Sequence, residues 1–316
     1  MRCALRSERD VTTLKRFWLG WHRPSEVRTA YLYLIPSLAI MLLTFSYPMI
    51  QAGIQSLYRW NPMRFGLTQK FIGLGNYETI LQDPLFHQAL YNSIVMTVVW
   101  VGIEFLLGLA IALLLYEDIR FKGLAKTSVV IPMMMAPVLV GLIWKMFVDN
   151  EFGLFNHLLR LLHLPTVNWI GGQGKWVLPT IILADVWQNT SFVILVLLAG
   201  LEAIPLEQFE AAQVDGATRS QQLAYVILPW LKPLILIVLL FRVLFIFRTF
   251  DTVCMIVGTS GGVGNSAMVM GVYLYYRAFR LFDLGLASGI SIVMLILTAA
   301  LSVLFTILLY RTVRLE

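Results

Sequence analysis

Six stretches of the chain stay apolar long enough to cross about 30 Å of hydrocarbon at about 1.5 Å of rise per residue. They fall at residues 30–52, 90–116, 127–148, 176–200, 228–250 and 285–310, within a few residues at each end. This pattern predicts an all-α polytopic membrane protein with about six transmembrane helices. Residues 151–164 (EFGLFNHLLRLLHL) are apolar on one helical face but too short to span, so an interfacial or loop helix is expected there. Residues 1–29 form a polar, basic tail without the pattern of a cleaved signal peptide, and 311–316 a short polar end. Pro36, Pro48, Pro132 and Pro137 fall inside predicted spans. Neighbouring helices can re-satisfy the backbone groups that a proline frees. The prolines therefore read as packing kinks or, in spans one and three, as bends that form a gate.

Composition sharpens this picture. The chain is 59% hydrophobic and 13% charged, against about 25% charged in an ordinary soluble domain. A soluble enzyme and a disordered chain are poor fits. The net charge of +6 comes without a basic stripe interleaved with aromatics, so no nucleic-acid partner is expected. The charge reads instead as topology. Fourteen Lys and Arg lie in the tail, the loops after spans two and four, and the C-terminus; seven lie on the other side, in longer loops. The richer side is expected to be cytoplasmic, with both termini on it. Cys3 and Cys254 then lie at opposite faces, which disfavours a disulfide. The four histidines sit in tails or loops and form no metal-binding or catalytic set.

The loop between spans four and five, residues 201–233 (LEAIPLEQFEAAQVDGATRSQQLAYVILPWLKP), carries the most information. Pro205 suits the start of a helix, and Glu207 and Glu210 follow in its first turns, where the helix dipole favours anions. Asp215-Gly216 is a stop signal, with Gly216 suited to a left-handed position after the helix. A second helix is expected from about Thr218 to Leu228, ending before Pro229. Ala211 and Ala212 leave a low-relief surface that another protein can approach. The plainer alternative is an ordinary amphipathic cytoplasmic hairpin.

Glu210-Ala211-Ala212, then Asp215-Gly216, then Val226-x-Leu228-Pro229 resemble the EAA loop of binding-protein-dependent ABC transporter permeases. That family more often has Ile where Val226 stands. Phe71-Ile72-Gly73-Leu74-Gly75-Asn76-Tyr77 is similar to a stretch before span two of the family's sugar permeases, and Arg242–Asp251 and Tyr273–Ser291 resemble its last two membrane segments. Residues 258–265 (GTSGGVGN) lack the proline of the family's TGGGP-like turn. The resemblance covers about residues 28–312 and points to the carbohydrate-uptake subgroup, similar to the larger maltose-type and glycerol-phosphate-type subunits. It implies a type I ABC importer permease fold with a cytoplasmic EAA coupling helix in residues 201–229. The coupling residues would be Glu210, Ala211, Ala212, Asp215, Gly216, Leu228 and Pro229. It also implies a second homologous permease, a dimer of ATP-binding cassette ATPases, an extracytoplasmic solute-binding protein, and a lipid bilayer around them. The chain has no GxxxxGK[ST] phosphate loop. No cofactor is expected on it, and ATP and Mg would be used by the partner ATPase.

Span four places Asp185, Gln188, Asn189 and Phe192 on one helical face. A carboxylate, two amides and a ring can serve the hydroxyls and the apolar face of a sugar. The same residues can also simply hydrogen-bond neighbouring helices. By resemblance, they match the part of the equivalent maltose-permease helix that lines the sugar site. Glu104 in span two and Arg242 in span five are also intramembrane, as a buried pair or with Arg242 anchoring an anionic solute. Arg248 and Asp251 are close enough in sequence to pair. The expected function is the permease subunit of an ATP-driven importer of a carbohydrate, polyol or glycerol phosphate, in the inner membrane. The main alternative, a self-sufficient secondary transporter, leaves the EAA-like loop unexplained. An exporter does not suit that loop either.

Overall fold

The computed structural model describes residues 24–65, 68–117 and 120–314. Cys3 and the basic positions before Pro24 lie outside the described residues, as do Leu315 and Glu316. Between Ile54 and Gln55 the chain divides into two units. The first is the helix α1 (Pro24–Gln55) up to Ile54, which runs on through Pro36 and Pro48.

In the second unit, β1 (Tyr58–Arg59) pairs antiparallel with β2 (Lys70–Phe71), Tyr58 opposite Phe71. Helices α2 (Gly75–Gln82), α3 (Pro84–Tyr116), α4 (Lys122–Val130), α5 (Pro137–Phe147), α6 (Leu154–Leu161) and α7 (Val177–Glu202) follow. Then come α8 (Leu206–Val214), α9 (Arg219–Phe247), α10 (Asp251–Val257), α11 (Met270–Tyr275) and α12 (Leu284–Arg314). Helices α1, α3, α7, α9 and α12 are each long and apolar enough to cross a membrane. A sixth crossing exists if α4 and α5 together count as one span.

That pair departs from the straight helix expected over 127–148: its two halves meet at 97°. The cause lies in the prolines. Pro132 opens a short 3-10 turn, and Met135 and Ala136 are extended, as the residue before Pro137 must tend to be. Side chains of α7 satisfy backbone groups along this span. Gln188 Nε2 donates to the Met135 carbonyl at 2.8 Å, and Ser191 Oγ to the Val129 carbonyl at 2.5 Å.

A second departure concerns Pro229, where a helix end is expected. Instead α9 is continuous from Arg219 to Phe247. Residues Leu223–Ile227 widen into a π turn, with the Leu228 N–H bonded to the Leu223 carbonyl. The wider turn leaves room for the proline ring and absorbs its missing donor.

The core forms where α3 lies along α7. Gly108 permits the close approach: a Cβ there would come within 2.5 Å of Val193 Cγ1. Trp100, fully buried, donates its Nε1 to the Ile182 carbonyl at 2.7 Å. The Phe71–Tyr77 motif earns a local explanation too. Asn76 donates to the Ser56 and Tyr58 carbonyls at 2.7 and 2.9 Å, tying α2 to β1. The glycine-rich turn before α11 is clamped by α3. Gln88 bonds the Asn265 carbonyl at 3.0 Å, Asn92 the Met268 carbonyl at 2.9 Å, and Ser93 Oγ accepts the Met270 N–H at 2.9 Å.

Candidate functional site

Asp185, Gln188, Asn189 and Phe192 share the face of α7 expected from their spacing, and all four border one cavity of about 570 Å³. Arg242 of α9 lines it as well, with Met135 from the break, Thr249, Phe250 and Thr252. Asp185, Gln188 and Arg242 are buried, whereas Asn189 and Phe192 are half-buried.

Glu104, Arg242 and Asp185 come together from three helices. Arg242 Nε donates to Glu104 Oε2 at 2.6 Å and Nη2 to Glu104 Oε1 at 2.7 Å, a bidentate pair. The same Nη2 also donates to Asp185 Oδ2 at 2.6 Å. Sequence spacing alone gave a Glu104–Arg242 pair as one reading, and it set Asp185 apart on the α7 face. The cluster instead joins α3, α7 and α9 at the wall of the cavity. Gln188 is engaged by the Met135 carbonyl. Asn189 Nδ2 reaches the Asp185 backbone carbonyl at 3.4 Å, a weak contact within its own helix. Phe192 meets Phe241 edge-on, ring centroids 6.3 Å apart. Arg248 and Asp251 both line the cavity, but among the described residues no ion pair joins them.

On another part of the unit, α8 and the start of α9 form an elbow. Asp215 ends α8, and Gly216 takes φ +73°. The Ala217 N–H reaches the Ala212 carbonyl at 2.9 Å and the Gly216 N–H the Gln213 carbonyl at 3.0 Å, a Schellman closure. Thr218 then caps α9 in a reciprocal capping box with Gln221. Phe209 stacks on Tyr116 of α3 at 6.1 Å. That contact turns the opposite face outward: Leu206, Glu210, Ala211 and Val214 are exposed, and Ala212 is half-buried. Arg219 pairs with Glu117 at 2.6 Å and Lys126 with Glu202 at 2.7 Å, both on the surface. Leu228 is half-buried and Pro229 exposed beyond the π turn.

Sequence reasoning did not single out the cluster at the start of α3. Asp83 caps that helix through the Leu85 N–H at 2.9 Å. It also accepts from the Tyr273 hydroxyl at 2.5 Å and pairs with Arg277. Burial raises the Asp83 carboxyl, but the Tyr273, Leu85 and Arg277 donors outweigh it and hold it below the usual range. The helix-cap signal of Asp83-Pro84 was present in the chain; its partners lie about 190 residues away. The cavity residues Met135, Thr249 and Phe250 were also missed, since only the break and the end of α9 bring them there. Gly258-Thr259-Ser260-Gly261-Gly262 spells the GxSxG pattern of a nucleophile elbow. It follows a helix rather than a strand, and Thr259 instead accepts from Arg280 at 2.9 Å. Cys254 is free and buried; burial and the charge of Asp251 push its thiol up to about 12.

The family described as binding-protein-dependent transport system inner membrane component matches residues 104–314. A probable ABC transporter permease protein of Sinorhizobium fredii is 35% identical over 280 residues, 89% of each chain. A trehalose transport system permease protein of Mycobacterium tuberculosis is 37% identical over 283 residues, 90% of this chain and 89% of that one. In fold, the chain resembles a subunit of a bacterial ABC transporter involved in import of the acidic polysaccharide alginate. The TM-score is 0.78 at 22% identity, over 94% of this chain and 99% of that one.

Proposed function

This chain belongs to the binding-protein-dependent transport system inner membrane components, and from that membership we propose that the solute it carries is a sugar or sugar-like molecule. It is a multi-pass inner-membrane permease subunit of an ABC importer. With a second permease it forms the alternating-access pathway for a solute delivered by an extracytoplasmic binding protein. ATP is hydrolysed on a separate ATPase dimer, which receives the exposed face of α8. Both termini lie in the cytoplasm.

The observation that carries the reading is the elbow at Gly216. A short helix with its inner ring stacked on Tyr116 presents Glu210 and Ala211 outward, then turns back sharply into a membrane helix. A secondary transporter has no need of such a rigid outward helix. In the cavity, Asn189 and Phe192 offer an amide and an aromatic ring, chemistry suited to hydroxyls and to the apolar face of a sugar. In the same reading Asp185, Gln188, Arg242 and Glu104 shape the pathway wall.

The test is co-purification followed by transport. A tagged chain expressed with its neighbouring genes should bring down an ATP-binding cassette protein and a second permease. In proteoliposomes the assembly should accumulate labelled sugar only with ATP and a binding protein. Accumulation driven by an ion gradient alone would sink the reading in favour of a secondary transporter.

A further inference from the structure

We propose that the cavity wall of this subunit selects an uncharged polyhydroxyl solute and disfavours anions, because the Arg242 guanidinium is held by two carboxylates. The proposal rests on the sugar-import reading and narrows it: glycerol phosphates and acidic sugars drop out, while neutral saccharides and polyols remain.

The geometry ties three of the five Arg242 N–H donors to carboxylates. Both Nη2 hydrogens and the Nε hydrogen are engaged, by Glu104 at 2.6 and 2.7 Å and by Asp185 at 2.6 Å. The side chains of Glu104, Arg242 and Asp185 are 0%, 5% and 8% exposed. Two carboxylates face one guanidinium. The cluster is therefore acidic, or neutral when one proton sits on the carboxylates; in neither state is it positive. An anion approaching the Nη1 edge would bring a third negative charge to one guanidinium already faced by two carboxylates, with no second cation in the cluster to offset it. Arg248 and Asp251, the other charged residues on the wall, contribute one charge of each sign.

A neutral polyol meets the opposite situation. Asp185 keeps a lone pair beyond its bonds to Arg242 and Asn189 and its contact with Glu104, and carboxylates accept hydroxyl protons readily. The Asn189 amide makes a long 3.4 Å contact to the Asp185 backbone and also hydrogen-bonds the Asp185 carboxylate, with its carbonyl oxygen left to accept. The Phe192 ring and the Thr249 hydroxyl border the same space. Specificity against anions thus comes from a built-in repulsive element and not from loss of attractive contacts.

Two measurements test this, both on the full chain in its assembled transporter. The first uses Thr249→Cys in a Cys3→Ser, Cys254→Ala background. It is converted to a mixed disulfide, with release of methanesulfinate, by size-matched cationic and anionic methanethiosulfonates, each rate divided by that for a free thiol. The cationic reagent should react about tenfold faster, and Glu104→Gln with Asp185→Asn should erase that preference. Equal rates, or faster anionic labelling in the parent, would overturn the proposal. The second is ATP-driven uptake of neutral disaccharides and polyols beside their phosphates and uronates. Neutral solutes should enter and their charged forms fall at least tenfold behind; a phosphate carried equally well overturns the proposal. Failure of the sugar-import reading looks different. No solute of either charge would accumulate with ATP, whatever the labelling ratio.

Discussion

Gln188 of α7 donates its side-chain amide to the backbone carbonyl of Met135 at 2.8 Å, at the point where the third span abandons helical geometry. The extended stretch at Met135 and Ala136 takes this carbonyl out of helical hydrogen bonding, and Gln188 supplies the donor in its place. Replacing Gln188 by Leu keeps the bulk and removes the donor. Leaving a buried acceptor unsatisfied costs about 1–3 kcal/mol. Thermal unfolding of the assembled complex should drop accordingly, and Gln188→Asn should recover little, because its amide is one methylene short. An unchanged melting temperature for the Leu variant would mean that the break does not depend on this bond.

The Arg242 cluster makes an asymmetric prediction. Arg242→Met alone strands two buried carboxylates and should destabilise by about 3–5 kcal/mol. Combining it with Glu104→Leu and Asp185→Leu removes every charge at once and should recover most of that loss. Denaturation of the three-site variant beside the single one decides the matter. If the single variant is as stable as the parent, the cluster does not hold α3, α7 and α9 together.

Gly216 tests the elbow. Nothing lies within 4 Å of where its Cβ would be, so the obstacle to substitution is its φ of +73° and not space. A left-handed backbone costs an ordinary residue about 1–2 kcal/mol, while Asn tolerates it. Gly216→Asn should retain sugar-stimulated ATPase, and Gly216→Val should lose it while still inserting in the membrane. Glu210→Lys, on an exposed position, should act through docking alone. Normal uptake in both Gly216→Val and Glu210→Lys would remove the coupling role from this segment.

Asp83 predicts a pH effect on the cluster at the start of α3. Its folded carboxyl titrates below the usual value of 3.8. The stability it contributes is present above that value and is lost as pH falls through the lower folded one. Asp83→Asn should therefore destabilise the protein at neutral pH, and the difference from the parent should shrink as the pH drops below about 4. A difference that stays constant across that range would show that charge plays no part.

Topology can be checked by reporter fusion. A fusion after Lys122 and one after Glu316 should both be active only in the cytoplasm. Activity of either in the extracytoplasmic space would invert or break the six-span arrangement.

The sequence by itself determined the membrane class, five long apolar helices and the elbow. Each follows from a local rule: runs of apolar residues long enough for hydrocarbon, and a helix that must end where Asp215-Gly216 offers a left-handed turn. Local rules also placed Asp185, Gln188, Asn189 and Phe192 on one face. They could not say what that face meets. Only tertiary structure decided that Arg242 from α9 meets both Asp185 from α7 and Glu104 from α3, which lie 57 and 138 residues before it along the chain. It likewise decided that Gln188 serves the Met135 carbonyl, 53 residues before it. The same holds for the continuous α9, where a π turn relieves Pro229, and for the 97° break in the third span. A buried polar group must find its partner wherever packing puts one, and the choice among partners is made by the crossing of helices, which spacing along a single helix does not encode.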